Sequence, residues 1–172
     1  MTSASLQKIT PDIEALQILA ENCVEVCYQI AEKVLNCDFA RPTVTLNQRG
    51  RIAGCARLQE NLLRLNSSLF AENQQEFLEV VIPHEICHLL TYKLYGRVKP
   101  HGIEWRTLMK DLYGLPSRAT HSMDVSSVSQ ATIPYQCACG PVQLTIRRHN
   151  KTFKGTQYFC RRCKTQLIKA IN

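Results

Sequence analysis

Two histidines and a glutamate have the types and spacing of a metal-dependent hydrolytic site in the stretch IPHEICHLL, residues 82–90. His84 and His88 lie four positions apart, so both imidazoles share one face of a helix and can bind one ion. Zinc accepts neutral imidazole nitrogen. Glu85 lies about 100° around the helix from His84, where it can take a proton from an attacking water without binding the metal. The motif therefore predicts a zinc site with Glu85 as general base.

The residues around this motif decide between a metal site and a buried helix that happens to carry two histidines. The flanks VVI (80–82) and LL (89–90) are apolar, which is typical of a buried helix. Two buried imidazoles without a metal would need hydrogen-bond partners and would resist being protonated together. We therefore favour the metal. Pro83 has no N–H to donate to the carbonyl of Glu79, so we expect a continuous helix that is kinked there.

A third ligand is needed, because a catalytic zinc site keeps three protein ligands and one open position. The remaining histidines are His101, His121 and His149, and Glu104 is a further candidate. We predict His101, because it lies just before a second helix, in PHGIEW, where the chain can fold back over the first. His121 is the fallback.

Four cysteines near the end of the chain have the spacing of a second metal site. Cys137-x-Cys139 and Cys160-x2-Cys163 are separated by 20 residues, which predicts a zinc ribbon of two knuckles joined by a hairpin. Four thiolates make a closed, structural site. The C-x-C pair is shorter than the usual C-x2-C and leaves room for a substitute ligand such as His149. Four free cysteines in a disordered tail are the alternative.

The positive charge of the chain is concentrated around these cysteines. The net charge is +7, yet all 14 acidic residues precede residue 125, and residues 137–172 contain no acid. Such a segment points to a polyanionic partner, so we expect nucleic acid to bind there without base-specific contacts, since no recognition helix is apparent. Solubilising charge is the alternative. The candidate residues are Arg147, Arg148, Lys151, Lys154, Arg161, Arg162 and Lys164.

The elements that must position these residues follow from apolar spacing and turn signals. We predict helices at 11–36, 72–94 and 102–112, and strands at 42–46, 51–58 and 62–70 that form a small antiparallel meander. The fold class is α+β. A polar, serine-rich segment at 122–134 predicts a linker between a main domain, 1–121, and the ribbon, 135–172.

The compartment is predicted from the cysteines and the N-terminus. No signal-peptide pattern and no membrane-length apolar run occur in the sequence, so we expect a cytoplasmic protein without a membrane partner. In a reducing compartment we expect the nine cysteines to be metal ligands, reactive thiols or small buried residues, and seldom disulfides. The sequence does not predict an oligomeric state.

The motifs VVIPHEICHLL and VKPHGIEW together resemble the SprT family of zinc metalloprotease-like proteins. The eukaryotic relatives of that family, the Spartan proteins, are DNA-protein-crosslink proteases. The tail containing QLTIRRHN is similar to the C-terminal ribbon of the bacterial members.

This resemblance implies a zincin-like fold with His84, His88 and His101 as ligands of a catalytic zinc, Glu85 as general base, and a second, structural zinc in the ribbon. It also implies a metallopeptidase acting on proteins bound to or crosslinked with DNA. The competing hypothesis is a non-catalytic, zinc-binding, DNA-associated regulator, which does not need Glu85 as a base.

Overall fold

The computed structural model describes residues 12–116, 125–128 and 131–170. The chain divides into two compact units, Met1–Val128 and Ser129–Asn172. This boundary falls within the segment 122–134 that was expected to be a linker. The last three residues of that segment, 132–134, begin a strand of the second unit. The same strand contains the buried Tyr135.

The first unit opens with a long amphipathic helix, α1 (Ile13–Leu35), as its apolar spacing predicts. The side chain of Asp12 caps it by accepting a hydrogen bond from the Ala15 N–H at 3.1 Å. Asn36 ends the helix in the left-handed conformation. The face that packs into the core is formed by Leu16, Ala20, Val24, Cys27, Tyr28 and Ala31.

A three-stranded sheet follows, and its topology differs from the predicted antiparallel meander. Its strands are β1 (Thr43–Thr45), β2 (Gly54–Arg57) and β3 (Leu62–Leu65), in the order β1-β3-β2. β2 is antiparallel to β3, whereas β1 is parallel to it. The meander was wrong because β3 carries two fully buried leucines and therefore takes the central position, leaving β1 and β2 as edges. The chain between β1 and β2 crosses the sheet instead of forming a hairpin.

The third strand is also shorter than predicted, because a helix cap interrupts it. The side chain of Asn66 accepts a hydrogen bond from the Leu69 N–H and donates one to the Gly50 carbonyl at 2.7 Å. These bonds start a short helix, α2 (Ser67–Glu72), within the stretch expected to be a strand.

The predicted helix at 72–94 is helical in successive pieces. α3 (Gln74–Glu76) leads into a π-helical turn, Phe77–Val81, and then into α4 (Ile82–Tyr95). In a π-helical turn the N–H of residue 83 would donate to the carbonyl five residues earlier, but Pro83 has no N–H to donate. The Leu78 carbonyl, five residues before that proline, accepts instead from the Cys23 thiol on α1, at 3.3 Å.

The last helix of the first unit is α5 (Ile103–Tyr113), close to its predicted bounds. Gly114 ends it at a φ of 63°, in the left-handed region that glycine adopts at low cost. α5 packs against α4 and α1, and its buried face presents Trp105, Leu108, Met109 and Leu112 to the core.

The second unit is a small antiparallel sheet with one short helix. Its strands are β4 (Thr132–Cys137), β5 (Gly140–Thr145) and β6 (Ile168–Lys169), in the order β5-β4-β6. The helix α6 (Ile146–Thr152) was not predicted, because the alternation of Val142, Leu144 and Ile146 suggested a longer strand. Of the residues described, no helix in either unit is long and apolar enough to cross a membrane.

Candidate metal centres

The structure brings three histidines of the first unit together at one point. His84 and His88 lie one turn apart on α4, and His101 comes from the connection that precedes α5. The Nε2 atoms are 3.2 Å apart between His84 and His88, and His101 Nε2 is 3.1 Å from each of them. His101 has a φ of 53°, which turns its ring back towards α4.

These separations fit a zinc ion. Two ligands of a tetrahedral ion with bonds of about 2.0–2.1 Å lie about 3.3–3.4 Å apart, close to the three distances found here. Across the described ranges, no further Cys, Asp, Glu or His joins this group, so Glu104 is not part of it. His121, the fallback ligand, lies outside the described residues. Three histidine nitrogens match the number of protein ligands that catalytic zinc sites use.

Burial favours the neutral, metal-binding form of His88 and His101. It lowers the pKa of His88 to about 4, with a further contribution from the nearby charge of His101. Burial also lowers the pKa of His101, and the positive charge of Arg106 adds to the effect. Near neutral pH His88 and His101 therefore present lone pairs that a cation can bind.

Glu85 lies beside this group without belonging to it. The residue is only 6% exposed, and its Oε2 accepts a hydrogen bond from the Ala56 N–H of β2 at 2.9 Å. Burial raises the pKa of Glu85 to about 7, and the Ala56 N–H opposes part of that rise. A carboxyl group with such a pKa can both accept and return a proton near neutral pH.

Gly54 makes room for this carboxylate. A Cβ at position 54 would lie 3.0 Å from the Glu85 Cγ and 3.1 Å from the Val81 Cγ1, closer than packed carbons approach. Sequence analysis did not identify this role of Gly54. Its function is the close approach of β2 to α4, a contact between residues about 30 positions apart that no local pattern reveals.

We expect Gly54→Ala to destabilise the first unit by about 1–3 kcal/mol, because Glu85 and Val81 must shift to admit the methyl group. Urea denaturation followed by circular dichroism measures this loss. Cys55→Ala on the same strand is the control, since its half-buried side chain points to the opposite face of the sheet. An unchanged midpoint for Gly54→Ala would contradict the crowding argument.

Trp105 supports all three histidines from α5. Its ring centroid lies 4.7 Å from that of His84, 5.4 Å from that of His88 and 4.6 Å from that of His101. Its Nε1–H donates to the His84 carbonyl at 3.3 Å. Sequence analysis did not identify this role, which depends on the position of His101.

We expect Trp105→Leu to weaken zinc binding at the three histidines by about 10–100-fold, as loss of a supporting neighbour does in other metal sites. Trp105→Phe keeps a ring at this position and should retain most of the affinity. Competition with a chromophoric chelator measures both variants, and the zinc bound by the four cysteines serves as an internal control. Wild-type affinity in Trp105→Leu would refute the supporting role.

The four cysteines of the second unit also converge. The Cys139 Sγ lies 3.4 Å from that of Cys137 and 3.6 Å from that of Cys160, and all four sulfurs, including that of Cys163, lie within 4.8 Å of one another. Four sulfurs at such distances can surround one zinc ion and leave no open position.

Thr165 joins the two knuckles of this cluster. Its Oγ1 lies 3.0 Å from the Cys163 Sγ and accepts a hydrogen bond from the Ala138 N–H at 3.1 Å. Sequence analysis did not identify it. His149, the suggested substitute ligand, is engaged elsewhere, since its Nδ1 lies 2.9 Å from the Tyr135 hydroxyl. The four-ligand set is therefore made by the short C-x-C pair and the other two cysteines, without His149.

The predicted nucleic-acid residues fall into two groups on this unit, and all of them are exposed. Arg147, Arg148 and Lys151 lie on α6, with Lys154 just beyond it. The other group is in the second knuckle and consists of Arg161, Arg162 and Lys164. The helix α6 thus carries three of the seven candidate cations.

Comparison with known proteins defines the class of protein to which these sites belong. The model of the SprT-like family matches residues 24–123, and that of the SprT-like zinc ribbon domain matches residues 131–171. The chain therefore belongs to the SprT-like family, with three histidines grouped in the first matched region and four cysteines in the second.

Curated relatives resemble the chain over most of its length. Protein SprT of Shewanella oneidensis is 48% identical over 86% of this chain and 95% of the relative. Protein SprT of Vibrio parahaemolyticus is 46% identical over 91% of this chain and 94% of its own length. Protein SprT of Pasteurella multocida is 46% identical, over 83% of this chain and 87% of the relative. No solved structure matches the chain.

Proposed function

We propose that this chain is a zinc-dependent metallopeptidase of the zincin type that acts on proteins bound to or crosslinked with DNA. The observation that carries the proposal is the convergence of three Nε2 atoms within 3.2 Å, with a buried carboxylate beside them and outside the ligand set. A purely structural ion would gain nothing from an open position and a neighbouring base.

A zinc ion held by His84, His88 and His101 would supply Lewis-acid polarisation of a peptide carbonyl and of water. Glu85 accepts the proton of the attacking water and later delivers it to the amine of the leaving peptide. The Ala56 N–H holds Oε2 of Glu85 in place, so Oε1 remains available for this transfer. Burial of Glu85 keeps its proton affinity high enough for both steps.

The substrate is proposed to bind as an added strand on β2. β2 is an edge of the sheet, and its Ala56 N–H points to Glu85 rather than to β3. A peptide paired with that edge would pass the carboxylate and the three imidazoles.

We further propose that the ribbon, with a structural zinc, binds nucleic acid through its seven candidate cations and brings the peptidase to DNA-bound proteins. The exposed charges on α6 and in the second knuckle support this role. A cytoplasmic location is part of the proposal.

Metal analysis and proteolysis test the proposal together. Purified protein should contain two zinc ions per chain, of which His84→Ala removes one and Cys160→Ser the other. Zinc-loaded protein should cleave a DNA-bound protein, and a chelator should stop the cleavage. If the protein keeps both ions but never cleaves, on single-stranded or duplex DNA, the peptidase is excluded and a non-catalytic regulator takes its place.

A further inference from the structure

Positive charge in the first unit is concentrated around the third histidine. The whole unit is close to neutral, yet residues 93–110 contain five cations and one acid, Glu104. Asp111 follows directly on α5, and half of the 14 acids lie on α1 or between Glu72 and Glu79. The cations are Lys93, Arg97, Lys99, Arg106 and Lys110, which we call the α5 basic surface.

The charges of this surface are available to a ligand. All five side chains are exposed, and none forms an ion pair with another residue in the described part of the chain. Arg41 is different, because it pairs with Glu25 and Glu32 of α1 and is neutralised there. Unpaired surface cations attract polyanions at low salt.

The surface borders the candidate metal centre. Arg106 is near enough to His101 for its charge to act on the imidazole, and the Lys99 carbonyl accepts a hydrogen bond from the Gly102 N–H at 2.9 Å. On the outer side of α5, Arg106 and Lys110 line an open cavity of about 590 Å³ together with Ile103, which is 72% exposed. Lys93 lies on the last turn of α4, Arg97 and Lys99 lie on the connection that carries His101, and Arg106 and Lys110 lie on α5.

We propose that the α5 basic surface binds the phosphate backbone of nucleic acid, so that the first unit has a nucleic-acid contact of its own beside the metal centre. The binding does not depend on the proposed peptidase, although its role in presenting DNA-bound proteins rests on that proposed function. Sequence analysis assigned nucleic-acid binding to the ribbon alone, because the charge of the main domain nearly cancels.

A phosphate backbone fits these cations better than an acidic protein does. Duplex DNA carries one negative charge per about 1.7 Å of its axis, so several separate cations can be neutralised at once without a matching shape. The guanidinium groups of Arg97 and Arg106 can bind phosphate oxygens in pairs. The cavity that Arg106 lines is wide and open, and it offers an acidic protein no enclosed pocket.

The test uses the zinc-loaded full chain and a fluorescent DNA of about 30 nucleotides, as a single strand and as a duplex, at salt concentrations between about 50 and 200 mM. Arg106→Gln with Lys110→Gln should weaken binding by about tenfold at the lowest salt and reduce the salt slope by about 1.4–1.8. Lys33→Gln with Arg49→Gln removes the same charge from exposed positions outside the surface and should change neither value. Circular dichroism and zinc content check that every variant is folded.

A second pair, Arg97→Gln with Lys99→Gln, repeats the test on the connection before α5, and it decides the outcome if the first pair does not fold. DNA affinity and salt slope equal to those of the control pair would overturn the proposal. So would an unchanged DNA affinity accompanied by weaker binding of polyglutamate, which would identify an acidic protein as the partner. Because the assay needs no cleavage, a protein that is inactive as a peptidase still gives a result.

Discussion

Glu85→Gln is expected to reduce peptide hydrolysis by about 10²–10⁴-fold while both metal centres stay intact. The amide is nearly the same size as the carboxylate and can still accept the Ala56 N–H through its oxygen, so the contact between β2 and α4 is preserved. What is lost is the ability to take a proton from the attacking water and return it to the leaving amine. Steady-state cleavage of a DNA-bound protein by zinc-loaded samples measures the effect.

The matched control for this prediction is Glu104→Gln. Glu104 is also close in sequence to the third histidine, but it lies outside the group of ligands and is half-buried rather than enclosed. Its substitution should leave turnover within about threefold of wild type. Equal activity of wild type and Glu85→Gln, with zinc bound in both, would remove Glu85 from the chemistry and leave the general base unassigned.

The histidine cluster could be predicted because its geometry is mostly local. The spacing of His84 and His88 places them on one helical face whatever the rest of the fold does. His101 needed one further assumption, that the chain turns back over α4 before α5. Its positive φ is the backbone conformation that makes this turn, and no pattern of residue types requires it.

The surroundings of the cluster could not be predicted in the same way, because they depend on contacts between distant parts of the chain. The Ala56 N–H reaches Glu85 across 29 residues, and it does so because β3 rather than β2 is the central strand. Alternation shows which residues form strands but not their order in a sheet. The parallel pairing of β1 with β3 therefore had no signal in the sequence.

The ribbon illustrates the same distinction. Cysteine spacing identified the four sulfurs, since each pair is local and two pairs suffice for a tetrahedral site. The helix α6 was missed because Ile146 continues the alternation of β5 although the strand ends at Thr145. Thr165 was missed because its hydroxyl contacts Ala138 in one knuckle and Cys163 in the other. The folded unit brings these two residues together, and no sequence pattern shows it.

Removing zinc from the four cysteines is expected to unfold the second unit and leave the first folded. The described part of this unit buries few large side chains, chiefly Tyr135 and Leu144. A core this small does not offset the entropy of ordering such a unit, whereas structural zinc contributes about 10–16 kcal/mol in small zinc domains. Cys160→Ser should therefore expose the ribbon to trypsin at its many lysines and arginines.

The single tryptophan separates the two units in this experiment. Trp105 is buried in the first unit, so its emission should keep the wild-type wavelength in Cys160→Ser while trypsin degrades the ribbon. Cys37→Ser, at an exposed position on the first unit, is the control and should leave the ribbon resistant. If Cys160→Ser resisted trypsin as well as wild type, the ribbon would be stable without its metal. The sulfur cluster would then have a function other than holding the fold together.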